Sequence, residues 1–125
     1  MNLLLDTHVL LWAIDRPEQL DEAAREEIRS ARNRVVVSAA SAWEIAVKRA
    51  LGKLRFDADL GTVLDEVGFD ALSIRFEHAR VAGELPGVHR DPFDRMLVAQ
   101  AQIEALTLVT RDAVFARYEV ATLPA

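Results

Sequence analysis

The sequence predicts an α/β fold built on a mainly parallel sheet, with all 125 residues in one domain. Three observations carry this reading. Short apolar runs alternate with helical periodicities along the whole chain, as in successive strand–helix–strand units. The runs are apolar at consecutive positions, as in strands covered on both faces. Finally, no linker, repeat or low-complexity segment interrupts the alternation.

Each element has its own signal. Residues 2–5 form an apolar run that ends at Asp6 and reads as the first strand. Residues 8–14 are apolar and stop before Arg16-Pro17, which suits a short helix. Residues 21–32 read as a charged helix with Asp21 as cap and a narrow apolar stripe of Ala24, Ile28 and Ala31. Three consecutive valines make 34–38 a buried strand. A helix over 39–51 stops at Gly52, and another over 60–67 stops at Gly68, both natural C′ residues. Residues 70–74 are a weaker strand, and the helix over 76–85 is broken by Pro86-Gly87. Proline at the first helical position and Asp91 before it open the longest helix, 92–105. The strand LTLVT (106–110), a short helix (112–117) and a last strand (118–123) complete the chain.

Composition narrows the chemistry. The 51% hydrophobic and 28% charged residues describe a globular protein rather than a disordered one. With no cysteine, disulfides, thiolate metal sites and cysteine nucleophiles are excluded. The three histidines, His8, His78 and His89, are too scattered for a histidine zinc site. Net charge is −5, and the basic residues are thirteen arginines against two lysines, Lys48 and Lys53. No base precedes the first apolar run, and no stretch is long enough to span a membrane, so the expected location is the cytoplasm.

In open parallel sheets ligands gather outside the carboxyl ends of the strands. Asp6 ends the first strand; Ser38 ends the second, with Glu44 in the following helix. Thr110 ends the LTLVT strand, with Asp112 just after it, and Asp94 lies in the first turn of the helix feeding that strand. Converging carboxylates repel one another and lose hydration, so together they call for a cation. An oxygen-only donor set points to Mg²⁺ or Mn²⁺, which can bind a phosphodiester and activate water. Each acid also has a structural reading. Asp6, Asp91 and Asp112 suit helix N-caps, and Asp94 suits a helix dipole. Glu44 closes a capping box over Ser41-Ala-Trp-Glu44 and sits one turn before Lys48. Trp12 and Trp43 read as core residues rather than base-stacking platforms.

Four segments in order, LLLDTHVLLW, SAASAWEIAVKRALGKL, HRDPFDRMLVAQA and LVTRDAVFARY, resemble PIN-domain ribonucleases, most of all the VapC toxins of toxin–antitoxin pairs. The resemblance runs from Asn2 to about Tyr118. It implies a three-layer α/β/α sandwich and metal-dependent cleavage of single-stranded or structured RNA. The acids map on Asp6, Glu44, Asp94 and Asp112, as catalytic residues and ligands of Mg²⁺ or Mn²⁺. Thr7 and Thr110 match hydroxyl positions beside the site. The further acid that some relatives carry after the fourth is missing, since Ala113, Val114 and Phe115 follow Asp112; Asp91 is the candidate substitute. Arg90, Arg95, Arg111, Lys48 and Arg49 flank the acids and suit either contacts to the RNA backbone or surface ion pairs, with His89 as a weaker candidate contact. The resemblance also implies a small VapB-like antitoxin and a homodimer. Apolar residues Leu54, Phe56, Leu60, Val63 and Leu64 suit either a dimer surface or ordinary core packing.

Three other functions fit parts of the pattern. A PIN-domain RNA-processing nuclease that is not a toxin would carry the same site. A response-regulator receiver would have paired acids after the first strand and a late lysine; here Asp6 stands alone and no lysine follows Lys53. A non-catalytic interaction scaffold would use the acids only as caps and would show no metal-dependent stabilisation.

Overall fold

A computed structural model describes residues 1–87 and 91–125. Its elements are β1 (Asn2–Leu5), α1 (Thr7–Asp15), α2 (Glu22–Arg29), β2 (Arg34–Ser38), α3 (Ala39–Ala50), α4 (Leu60–Val67), β3 (Asp70–Leu72), α5 (Phe76–Glu84), α6 (Pro92–Glu104), β4 (Thr107–Thr110) and β5 (Thr122–Pro124). The five strands form one sheet in the order β3-β2-β1-β4-β5, and every pairing is parallel.

The consecutive apolar residues of the strands explain the layering, because successive side chains point to opposite faces. Leu3 and Leu5 of β1, Val35 and Val37 of β2 and Val109 of β4 face one core, filled by Val9 and Leu10 of α1, Ala24 and Ile28 of α2, Ile45 and Leu64. Leu4, Val36 and Leu108 face the opposite core, filled by Leu97, Val98 and Ala101 of α6 with Phe115 and Tyr118. Helices therefore cover both faces, giving the three-layer α/β/α arrangement. The order along the chain reverses at β1, whose neighbours are β2 and β4. The carboxyl ends of β1 and β4 are thus the topological switch point, where a doubly wound sheet opens a crevice.

Several local expectations give way. The α2 helix ends at Arg29, because Asn33 turns back and its side-chain amide donates to the Glu27 carbonyl (2.8 Å). Ala31 therefore falls outside the helix and is exposed, and Asp21 occupies the N-cap position without a side-chain hydrogen bond. Edge strand β3 stops at Leu72, since the Ser73 carbonyl accepts from Gln100 Nε2 (3.3 Å) of α6. Residues 118–121 bend through Tyr118 N–H to Phe115 and Val120 N–H to Tyr118, so β5 begins only at Thr122. Residues 113–117 form a 3₁₀ turn. Leu54, Phe56 and Leu60 are half-buried against the first core, and Leu64 is buried within it. Trp43 is 59% exposed and is not a core residue. Among the described residues no helix is long and apolar enough to cross a membrane.

Candidate functional site

At the end of β1 the Asp6 amide donates to the Val109 carbonyl (3.1 Å), which fixes it against β4. Its carboxylate does two things at once. Oδ1 caps α1 by accepting from the Val9 amide (2.8 Å), and Oδ2 accepts from the Thr110 hydroxyl across the switch point (2.5 Å). Asp6 is buried, and burial pushes its pKa up, against the pull of those two hydrogen bonds. Thr110 Oγ1 in turn accepts from the Asp112 amide (3.0 Å), and Asp112 Oδ1 accepts from the Val114 amide (2.9 Å). One threonine therefore orients the acid-bearing turns after both β1 and β4.

Glu44 enters from α3. The helix is capped by Ser38, whose hydroxyl accepts from the Ala40 amide (2.9 Å). The capping box over Ser41–Glu44 is therefore not formed: Ser38, at the strand end, already starts the helix, and Ser41 lies inside it. Ser41 instead faces α1, 3.0 Å from the Thr7 hydroxyl. Thr7 donates to Glu44 Oε1 (2.6 Å), and Lys48 donates to Oε2 (2.5 Å). Glu44 is 4% exposed, so both partners offset the loss of its hydration. Ser41 is the buried member of this group that sequence reasoning assigned wrongly. The signal was Ser38, a better cap three residues earlier.

Asp94 enters from α6. Asp91 caps that helix, accepting from the Phe93 and Asp94 amides (2.9 and 3.2 Å). The cap places Asp94 at the third helical position. The Asp94 carboxyl is raised from its ordinary 3.8 to about 7, first by burial and then by the negative charges of Asp91, Glu44, Asp6 and Asp112. Asp94 thus lies within electrostatic reach of the other three acids expected at this end of the sheet, Asp6, Glu44 and Asp112, and of Asp91.

The donor chemistry suits a hard divalent cation: carboxylates from four separate elements, without sulfur, at a position that disfavours a further negative charge. Among the described residues, no three acidic or histidine side chains are close enough to hold an ion as they stand. Asp6, Asp91, Asp112 and Glu44 each have at least one oxygen engaged by an N–H or O–H donor.

The basic candidates are distributed differently. Lys48 is at the site, paired with Glu44. Arg95 closes the end of α5, donating to the carbonyls of Ala82 (3.1 Å), Leu85 (2.7 Å) and Pro86 (2.9 Å). Arg111 donates to the carbonyls of Ala125 (2.7 Å) and Gln19 and lies 4.4 Å over the Trp12 ring, holding the C-terminus to α1. Both guanidinium groups thus serve the fold in this structure. Arg90 and His89 lie outside the described residues. Beside the acids, Trp43 and Phe93 meet edge to face at 4.9 Å.

The sequence matches the PIN domain family over residues 3–121. No curated protein matches it. Solved structures share the fold at low identity. VapBC2 from Rickettsia felis, bound to a DNA fragment from its promoter, is 19% identical with a TM-score of 0.72, over 99% of this chain and 98% of that one. DNA-bound VapBC from Salmonella typhimurium is 20% identical with a TM-score of 0.69, over 99% and 98%. A toxin–antitoxin complex from Klebsiella pneumoniae is 18% identical with a TM-score of 0.68, over 98% of each chain.

Proposed function

The chain belongs to the PIN domain family, and on that footing we propose that it is a divalent-metal-dependent endoribonuclease, cleaving single-stranded RNA as the toxin of a VapBC-type pair in the cytoplasm. The observation that carries the reading is the placement of Asp94 at one end of the sheet with Asp6, Glu44, Asp91 and Asp112, near enough for their charges to raise its carboxyl. A protein gains nothing in stability from such a cluster without a cation to offset it.

Asp6, Asp94, Asp112 and Glu44 would hold Mg²⁺ or Mn²⁺. A divalent ion bound by these residues would supply Lewis acidity for a phosphodiester and for water at the site. The side chains around the acids hold them in place. Thr110 fixes Asp6 relative to Asp112, Thr7 and Ser41 fix Glu44, and the Asp91 cap fixes the start of α6 and hence Asp94. Lys48 offsets the charge of Glu44 and stands where an RNA phosphate would approach it. No side-chain nucleophile is required.

The toxin role rests on the likeness in fold to VapBC complexes. A VapB-like antitoxin with a basic side chain would complement the acids, and a homodimer is the expected free form. The test is cleavage of a labelled single-stranded RNA pool by antitoxin-free protein with Mg²⁺, Mn²⁺ or EDTA, beside Asp94→Asn. Metal-dependent cleavage lost in the folded variant is expected. Equal cleavage by both proteins would remove Asp94 from the site.

A further inference from the structure

The site has an acidic mouth, yet an RNA strand must be held there by its phosphates. The needed positive charge is concentrated in one place. Residues 48–55 carry four cations, Lys48, Arg49, Lys53 and Arg55, with no acid among them, in a chain whose net charge is −5. They include both lysines of the protein.

The structure gathers these residues into one feature. At the end of α3, Gly52 adopts φ +71°, a left-handed turn that suits glycine, and folds the chain back. The Gly52 amide donates to the Arg49 carbonyl (3.0 Å), and the Lys53 amide to the Lys48 carbonyl (2.9 Å). This return brings Arg49, Lys53 and Arg55 onto one shallow groove of about 410 Å³, with Asp57 at its border. All three are exposed, and among the described residues none of the three is in an ion pair. Lys48, next to Arg49 on α3, pairs with Glu44 of the site one turn earlier in the helix. Arg49 lies five residues beyond Glu44, about 8 Å along the helix axis.

We infer that the groove formed by Arg49, Lys53 and Arg55 holds the backbone of the RNA strand at a distance from the scissile phosphate. Cations in an open groove fit a flexible phosphate chain, which they bind without reading sequence. They leave base selection to other surfaces. The inference rests on the nuclease reading for its substrate, and its test is independent of cleavage.

The experiment is fluorescence anisotropy of a labelled 12-nucleotide single-stranded RNA with the full chain in EDTA, repeated across KCl concentrations. Wild type is compared with Arg49→Gln/Lys53→Gln/Arg55→Gln, and with a control, Arg29→Gln/Arg32→Gln/Arg80→Gln, that removes as many charges elsewhere. Loss of three phosphate contacts should lower the slope of log K against log salt by about two, since each contributes about 0.7 for a single strand. At low salt the groove variant should bind at least ten-fold more weakly, while the control keeps the wild-type slope. Arg49→Lys/Arg55→Lys should restore the slope, which separates charge from misfolding. A wild-type slope in the groove variant, or equal loss in the control, overturns the inference. So does an unchanged RNA slope accompanied by lost binding of an oligoglutamate peptide, which would give the groove to an acidic protein segment. Because binding is read without metal, a failure to cleave RNA leaves this result interpretable, and the reverse also holds.

Discussion

The Asp94 carboxyl lies in the field of four other acids, and this sets how the metal-free protein responds to pH. Between about pH 4 and pH 7 the unfolded chain has released this proton while the folded chain still holds it. The metal-free fold therefore loses stability as pH rises through that window. Asp94→Asn should remove the loss and, at pH 8 in EDTA, raise stability by about 2 kcal/mol, after allowance for the part of the carboxyl that solvent screens. Denaturant unfolding of both proteins at pH 5 and pH 8 checks this, and a constant difference between them would count against it. Thr110→Val should cost about 2 kcal/mol, because it leaves buried Asp6 without its hydroxyl donor. Thermal melting at neutral pH measures it. The sequence offered each acid two meanings, cap or site, and the structure shows the caps are real for Asp6, Asp91 and Asp112. A carboxylate has enough lone pairs to cap a helix and still repel its neighbours, so the two meanings do not compete.

The elements differ in how much of them local sequence determines. Strands β1, β2 and β4 were legible because both faces of each are buried, which leaves an unbroken apolar signature. The edge strands β3 and β5 were overextended, because their ends are set by tertiary bonds: the Ser73 carbonyl to Gln100, and the bend at residues 118–121. The start of α3 at Ala39 was legible, but its cap was not: two serines competed for that role, and the strand end gives it to Ser38. Capping now predicts effects at a distance. Asp91→Ala should cost about 1 kcal/mol as a lost N-cap, and it should weaken metal binding as well, because Asp94 sits on the turn that Asp91 anchors. Asp91→Asn should restore most of the stability. Melting temperatures with and without Mn²⁺ separate the two effects. Arg95→Ala should fray the end of α5, whose last carbonyls it satisfies, and hydrogen exchange should rise there.

At the scale of the whole molecule, alternation of strand and helix predicted a parallel sheet, but not its strand order, which depends on pairings between distant segments. The order β3-β2-β1-β4-β5 puts the switch point between β1 and β4. It thereby brings Asp6 and Asp112 to the same crevice, with α3 and α6 delivering Glu44 and Asp94 to the same end of the sheet. The acidic end is stabilised by whatever cation it binds, and an ion at a hundred times its Kd should add about 2.7 kcal/mol to the fold. The most direct test is therefore Mn²⁺ titration calorimetry on the antitoxin-free protein at neutral pH, with Asp94→Asn alongside. Saturable binding by wild type, weakened at least ten-fold in a variant that remains folded, is the expected result. If neither protein binds Mn²⁺, the acids serve only as helix caps and the metal-dependent nuclease is contradicted.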